Sequence, residues 1–320
     1  MTAMVYQAYG PPESIAVTTV DTPTPQRDQV LVRVKAASIN LSDWEMLVGR
    51  PLYSRIWGLR RPRFRTLGSD VAGTVVAVGS AVAKLKPGDD VFGDIMGHFG
   101  GFAEYVTVPA AVLYAKPAEL EFVTAATLPQ AAVIALRGIW DRGQLVAGQH
   151  VLINGAGGGS GTFAIQLAKA RGATVTGVDN EHKQDYMRSA GADHVVDYRR
   201  EDFAAHHRRY DLVLDLVAYR PLSVYRRILT PRGRYFLVGG SMTRLLQAAC
   251  VGPLLSLVGG QRLGVLAVEP QPDDFARAAR LTIDGTLRPH VERTFPLRGV
   301  AEALRRVGEG HACGKVVVTM

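Results

Sequence analysis

Five glycines fall within seven positions of this chain, from Gly155 to Gly161, inside the stretch VLINGAGGGSGTFAIQLAK (151–169). An apolar run precedes them and an amphipathic one follows. Glycine in a helix or strand interior costs about 0.5–1 kcal/mol relative to alanine, so a cluster like this marks a turn that other residues cannot make. A strand ending at Asn154 and a helix starting near Gly161 satisfy the pattern. The rhythm around it agrees. From about Glu119 onward, apolar runs such as TVTGVD, HVVDY, YDLVLDLV and GRYFLVGG alternate with segments of helical spacing. That alternation predicts a parallel sheet covered by helices on both faces.

At such a corner, residues without a Cβ let the backbone approach a pyrophosphate, while main-chain N–H groups and the helix dipole face the anion. Ala156, Gly158 and Gly161 occupy the three fingerprint positions, with Gly157, Gly159 and Ser160 between them. An acid, Asp179, ends the next strand 21 residues past Gly158. The combination predicts dinucleotide binding. Asp179 favours NAD(H), because a carboxylate there accepts a ribose 2′-hydroxyl and repels a 2′-phosphate. Lys183, Tyr198 and Arg199 offer that phosphate opposite charge and a hydrogen bond, which favours NADP(H). Both readings stand.

The first third is different. QVLVRVKAASI (29–39), VAGTVVAVG (71–79), DDVFGD (89–94) and FAEYVTVP (102–109) are short Val-rich runs bounded by Gly, Pro and Asp, the spacing of a partly open barrel. Two cysteines in 320 residues exclude a disulfide framework or a four-thiolate zinc lobe and suit a reducing compartment, so a cytoplasmic protein is expected. No signal peptide is evident at the N-terminus. The most apolar segment, residues 245–268, is interrupted by Gln247, Pro253, Gly259, Gly260, Gln261 and Arg262; it reads as buried loop and helix, or as a subunit interface, and not as a membrane span. The net charge of +8 comes mainly from arginine. Five arginines lie between Arg55 and Arg65, and a solvated loop with stems over Trp57 and Phe64 is favoured there over nucleic-acid binding or steering of an anionic substrate.

Several motifs in order, AASINLSDW (36–44), LGSDVAGTVVAVGSAVAKLKPGDDVFGD (67–94), GGFAEYVTVP, SAGADHVVDY (189–198) and GHACGKVVV (310–318), give the chain a full-length resemblance to the medium-chain dehydrogenase/reductase superfamily, in its zinc-independent quinone-oxidoreductase-like branch. The resemblance implies an α/β protein: a GroES-like partly open β-barrel domain (1–118, completed by 287–320), a Rossmann doubly wound parallel-sheet domain (119–286), and hydride transfer in the cleft between them. Zinc-dependent relatives carry a cysteine where this chain has Ser38 or Asn40, and GHE where it has Gly68, Ser69 and Asp70, so no metal is expected. An electron-poor acceptor, a quinone or an α,β-unsaturated carbonyl, is then the expected substrate, since its arriving charge is met by hydrogen bonds alone. Asn40 and Tyr53 are the expected catalytic donors. The resemblance also implies NADP(H) over NAD(H), nicotinamide contacts from Val217 and from Val238, Gly239 and Gly240, a cofactor role for Lys315, and a homodimer through the late Rossmann strand and residues 245–268. Ile134 stands where a threonine often touches the nicotinamide. That substitution sustains a second reading, a dinucleotide binder without net redox turnover.

Overall fold

The structure, a computed structural model, describes residues 1–205, 208–269 and 271–320. The chain forms two compact units. The first comprises Met1–Val133 together with the helix Pro272–Ile283 and Pro289–Met320; the second is Ile134–Glu269 with Thr286–Arg288.

In the first unit a seven-stranded sheet is built around the long strand Gln29–Ile39. This strand pairs antiparallel with Asp70–Val78 along most of its length, with Tyr105–Pro109 at its start and with Lys315–Thr319 at its end. Val30, Val32 and Val34 alternate inward, as a strand with one solvated face requires. From Ala36 to Ile39 the alternation stops and every residue is buried. There Asp70–Val78 and Lys315–Thr319 flank the strand on both sides, and Asp90–Asp94 lies one strand further out.

The second unit carries six parallel strands. Across the sheet they run His194–Asp197, Thr174–Asp179, His150–Asn154, Tyr210–Asp215, Leu229–Leu237 and Arg262–Val265. In chain order that is 3-2-1-4-5-6, the doubly wound arrangement whose switch point lies between the first and fourth strands. Residues Val151 to Asn154 are all buried, as a strand covered on both faces requires. The helix Gly159–Ala170 follows the glycine turn, two residues earlier than the sequence pattern suggests, and buries Phe163, Ala164, Ile165, Leu167 and Ala168.

One expectation is corrected. The apolar stretch after Ser241 is helix rather than buried loop and helix, and Leu254, Leu257 and Val258 stand exposed. The helical run Met242–Gly259 is long and apolar enough by composition to cross a membrane, with only 11% of it buried. Its apolar content reflects an uncovered face rather than a core.

Candidate functional site

The glycine turn shows why its sequence is constrained. Gly155 takes a φ of +85°, in the left-handed region that disfavours side chains. A Cβ on Gly161 would lie 2.2 Å from the Gly155 carbonyl oxygen, so the helix and strand approach as closely as bare backbone allows. Gly158 N donates back to Gly155 O at 3.2 Å, and Thr162 N, the first amide of the helical ladder, donates to Gly158 O. The amides of Gly159, Ser160 and Gly161 between them have no acceptor among the described residues. Three unpaired N–H groups at the start of a 12-residue helix form an anion cradle, and they fit a dinucleotide pyrophosphate.

Asp179 is committed to the same turn. Its Oδ2 accepts from Gly157 N at 3.0 Å, its Oδ1 accepts from Asn180 N at 2.8 Å, and Lys183 Nζ lies 3.1 Å from Oδ1. Both side chains are buried, and Lys183 lies directly over Gly157, where a Cβ would meet it at 2.6 Å. Its charge is therefore matched within the protein. Beside the pair, Tyr198 is partly exposed, and the Arg199 guanidinium lies 5.8 Å from its ring. Arg200 is bound instead to Glu181 at 2.7 Å.

The other side of the switch point is held by Asp215, which sequence reasoning missed. Its carboxylate accepts from Asn154 Nδ2 at 2.7 Å, Ala218 N at 2.8 Å and the Tyr235 hydroxyl at 3.0 Å, tying the first strand to the fourth. This fixes Leu216 to Ala218, and Gly155 packs against Val217. Gly240, at φ +101°, abuts Ala218, while Val238 N donates to Asp215 O at 2.8 Å. Ala156 to Gly161, Asp179, Lys183, Tyr198, Val217, Val238, Gly239 and Gly240 thus gather at the carboxyl ends of the parallel strands.

In the first unit Asn40 joins a buried polar cluster. Lys315 Nζ donates to Asn40 Oδ1 at 2.7 Å and lies 3.9 Å from Asp70; Asn40 Nδ2 donates to Ser69 Oγ at 3.1 Å. Asp43 caps the helix Leu41–Val48, accepting from Asn40 N at 2.9 Å and Gly68 N at 3.2 Å. Asp94 stands directly across the ladder from Asp70. Burial pushes all three carboxyls up, Asp43 to about 7, while Lys315 draws Asp70 back down and the Asp70 charge drives Asp94 further up. Burial also lowers Lys315. Lys315, expected among the cofactor residues, is held wholly inside this cluster. Tyr53 donates to Glu45 at 3.1 Å, and burial pushes the Glu45 carboxyl up to about 7 against that hydrogen bond.

Comparison with known proteins places both halves. Residues 26–118 match the alcohol dehydrogenase GroES-like domain family, and residues 190–318 match the zinc-binding dehydrogenase family. A chloroplastic quinone oxidoreductase of Triphysaria versicolor is 30% identical over 99% of this chain and 98% of its own length. An NADPH-dependent alkenal/one oxidoreductase of Arabidopsis thaliana is 31% identical over 99% of this chain and 79% of its own. The chain belongs to the quinone-oxidoreductase-like branch of the medium-chain dehydrogenase/reductase superfamily. A solved quinone oxidoreductase from Coxiella burnetii superposes with a TM-score of 0.88 at 27% identity, covering 100% of this chain and 99% of that one. The fold is accordingly a GroES-like domain joined to a Rossmann-like one.

Zinc is implied by one of these family descriptions, and the residues present do not fit it. Around Asn40 the donors are hydroxyl, amide and carboxylate oxygens that already surround the Lys315 ammonium, whereas zinc sites are built mainly from thiolate and imidazole. Among the described residues no three His, Cys, Asp or Glu side chains are grouped to hold a metal ion. Asp94 and Glu45 escaped sequence reasoning because their only signals are a cross-strand register and a hydrogen bond eight residues away.

Proposed function

We propose that this chain is an NAD(P)H-dependent reductase that transfers hydride to a quinone or an α,β-unsaturated carbonyl without zinc. The observation that carries the reading is the trio of unpaired amides at Gly159, Ser160 and Gly161, beside loops fixed by Asp215. When bound, the nicotinamide supplies the hydride. The protein's part is to bind the pyrophosphate on main-chain amides and to fix the backbone of Val217 and of Val238 to Gly240 for contact with the other end of the cofactor. Asn40 and Tyr53 are the groups we propose to act on the substrate. The Lys315 contact polarises the Asn40 amide. The Tyr53 hydroxyl, backed by Glu45, carries a proton for the reduced acceptor.

NADPH is the proposed cofactor over NADH. Lys183 already neutralises Asp179, so this carboxylate presents no free charge to a 2′-phosphate, and Tyr198 with Arg199 supplies donors beside it. A homodimer is proposed through the strand Arg262–Val265, the last of the six across the sheet, and the exposed face of Met242–Gly259 next to it. A usage of two cysteines in 320 residues supports a reducing, cytoplasmic setting. Titration with NADPH and NADH by nicotinamide fluorescence, followed by turnover with a small quinone and a small enone, tests the whole reading. NADPH oxidation by either acceptor is expected. Tight binding with no oxidation would make the chain a redox-silent dinucleotide binder, and equal or tighter NADH binding would reverse the cofactor assignment.

A further inference from the structure

The segment joining the helix Leu41–Val48 to the strand Asp70–Val78 carries, besides Tyr53 and its inward aromatics, a set of basic and aliphatic residues that neither the fold nor the proposed reaction uses. Residues 50–65 hold six arginines and no acid. They also hold three large aliphatic side chains that face solvent: Leu52, Ile56 and Leu59 are 67%, 77% and 73% exposed. The aromatics point the other way. Trp57 and Phe64 pack on each other and on buried Phe99, with centroids 6.2, 5.7 and 5.1 Å apart.

This is a built surface. The Tyr9 hydroxyl donates to Gly58 O at 2.5 Å, and Arg55 Nε donates to Gly49 O at 2.8 Å while its guanidinium lies 4.6 Å from the Tyr9 ring. The turn at Gly58 is so tight that a Cβ there would meet Arg61 O at 2.1 Å. Arg50, Arg60, Arg61, Arg63 and Arg65 are exposed, and none has a carboxylate partner among the described residues.

Exposed aliphatic groups interleaved with unpaired guanidinium groups match one kind of partner better than others. A single-stranded nucleic acid is gripped by stacking aromatics, and here those are turned inward. A second copy on a two-fold axis would set arginines against arginines. At the boundary of an anionic bilayer, by contrast, aliphatic tips enter the acyl region and guanidinium groups pair with lipid phosphates. We propose that residues 50–65 dock this protein on the surface of an anionic lipid bilayer, with Leu52, Ile56 and Leu59 inserted and Arg60, Arg61 and Arg63 at the headgroups.

Co-sedimentation of the full chain with vesicles of phosphatidylcholine alone, and of equal parts phosphatidylcholine and phosphatidylglycerol, tests this. Retention is expected about tenfold higher on the anionic vesicles and falls with added salt. Two triple variants, Leu52→Ser/Ile56→Ser/Leu59→Ser and Arg60→Ser/Arg61→Ser/Arg63→Ser, are each expected to lose about that factor at an unchanged melting temperature. Should a triple variant melt early, Ile56→Ser alone carries the test, since its side chain is the most exposed of the three. Equal retention on both vesicles, or full retention by the aliphatic variant, would overturn the proposal. Tighter retention of a single-stranded oligonucleotide than of anionic vesicles would overturn it as well and assign the face to nucleic acid.

Discussion

The glycine turn of the second unit and the Asn40 cluster of the first are opposite solutions to placing polar groups inside a protein. At the turn, main-chain amides are left without acceptors and the charged pair beside them, Asp179 and Lys183, is internally matched. In the cluster the charged and polar side chains come from far apart in the chain: Asn40 and Asp43 at the start of the helix Leu41–Val48, Ser69 and Asp70 where the strand Asp70–Val78 begins, Asp94 at the end of Asp90–Asp94, and Lys315, which opens the C-terminal strand. Most of its hydrogen bonds are made within itself, yet it holds three carboxyls against a single ammonium. The first arrangement waits for an anion and has no proton to exchange. The second offers a ligand the Asn40 amide proposed above and crowds buried carboxyls together, so it also responds to pH.

The contrast can be broken most severely at Lys315. Lys315→Met removes the one cation that faces Asp70, Asp43 and Asp94 among the described residues, and is expected to destabilise the fold by about 3–5 kcal/mol, read as a large drop in denaturation midpoint. Adding Asp70→Leu should recover part of the loss; no recovery would mean that Lys315 acts by packing alone. Next in size is Gly161→Ala, whose Cβ meets backbone rather than a movable side chain. It should cost about 1–3 kcal/mol and weaken dinucleotide binding, both measurable on one sample by melting with and without NADPH. Normal affinity in that variant would show that the turn yields more readily than its packing implies.

A third test sharpens the pH difference. Burial and the Asp70 charge raise Asp94 to about 8, so the folded protein keeps a proton that the unfolded chain releases above its ordinary value of 3.8. Stability from that proton is complete at acid pH and is lost as the pH rises through 4 to 8. Its slope is at most about 1.4 kcal/mol per pH unit. Asp94→Asn should flatten the decline and raise the melting temperature at pH 8 relative to the parent. The smallest expected effect is at Lys183. Lys183→Gln exposes the incoming 2′-phosphate to the Asp179 charge, and the ratio of NADPH to NADH affinity should fall by about tenfold. A ratio that stays put would remove Lys183 from cofactor selection.

How far each region could be read in advance follows from the same contrast. The turn was legible because its requirements are local: positive φ at Gly155, no Cβ at Gly161, a strand before and a helix after, all within a dozen residues. The motif order gave the two-domain architecture for a similar reason, since each motif keeps its own spacing. The pairing of Asp179 was not legible. Sequence showed an acid and, four residues on, a lysine, but not that the lysine would lie flat over Gly157.

What the amino-acid order determined unaided was backbone: where strands end, where glycine is obligatory, and that a parallel sheet follows a Val-rich antiparallel one. Tertiary structure alone decided which side chains share a volume. Asp94 faces Asp70 because two strands pair in one register, and Lys315 reaches Asn40 across 275 positions of chain. It also decided that the helix Met242–Gly259 stands uncovered and that Trp57 turns inward while Ile56 turns out. Short-range geometry is fixed by steric limits that each residue carries with it. Long-range proximity depends on burial and charge summed over the whole fold, and no local pattern encodes that sum.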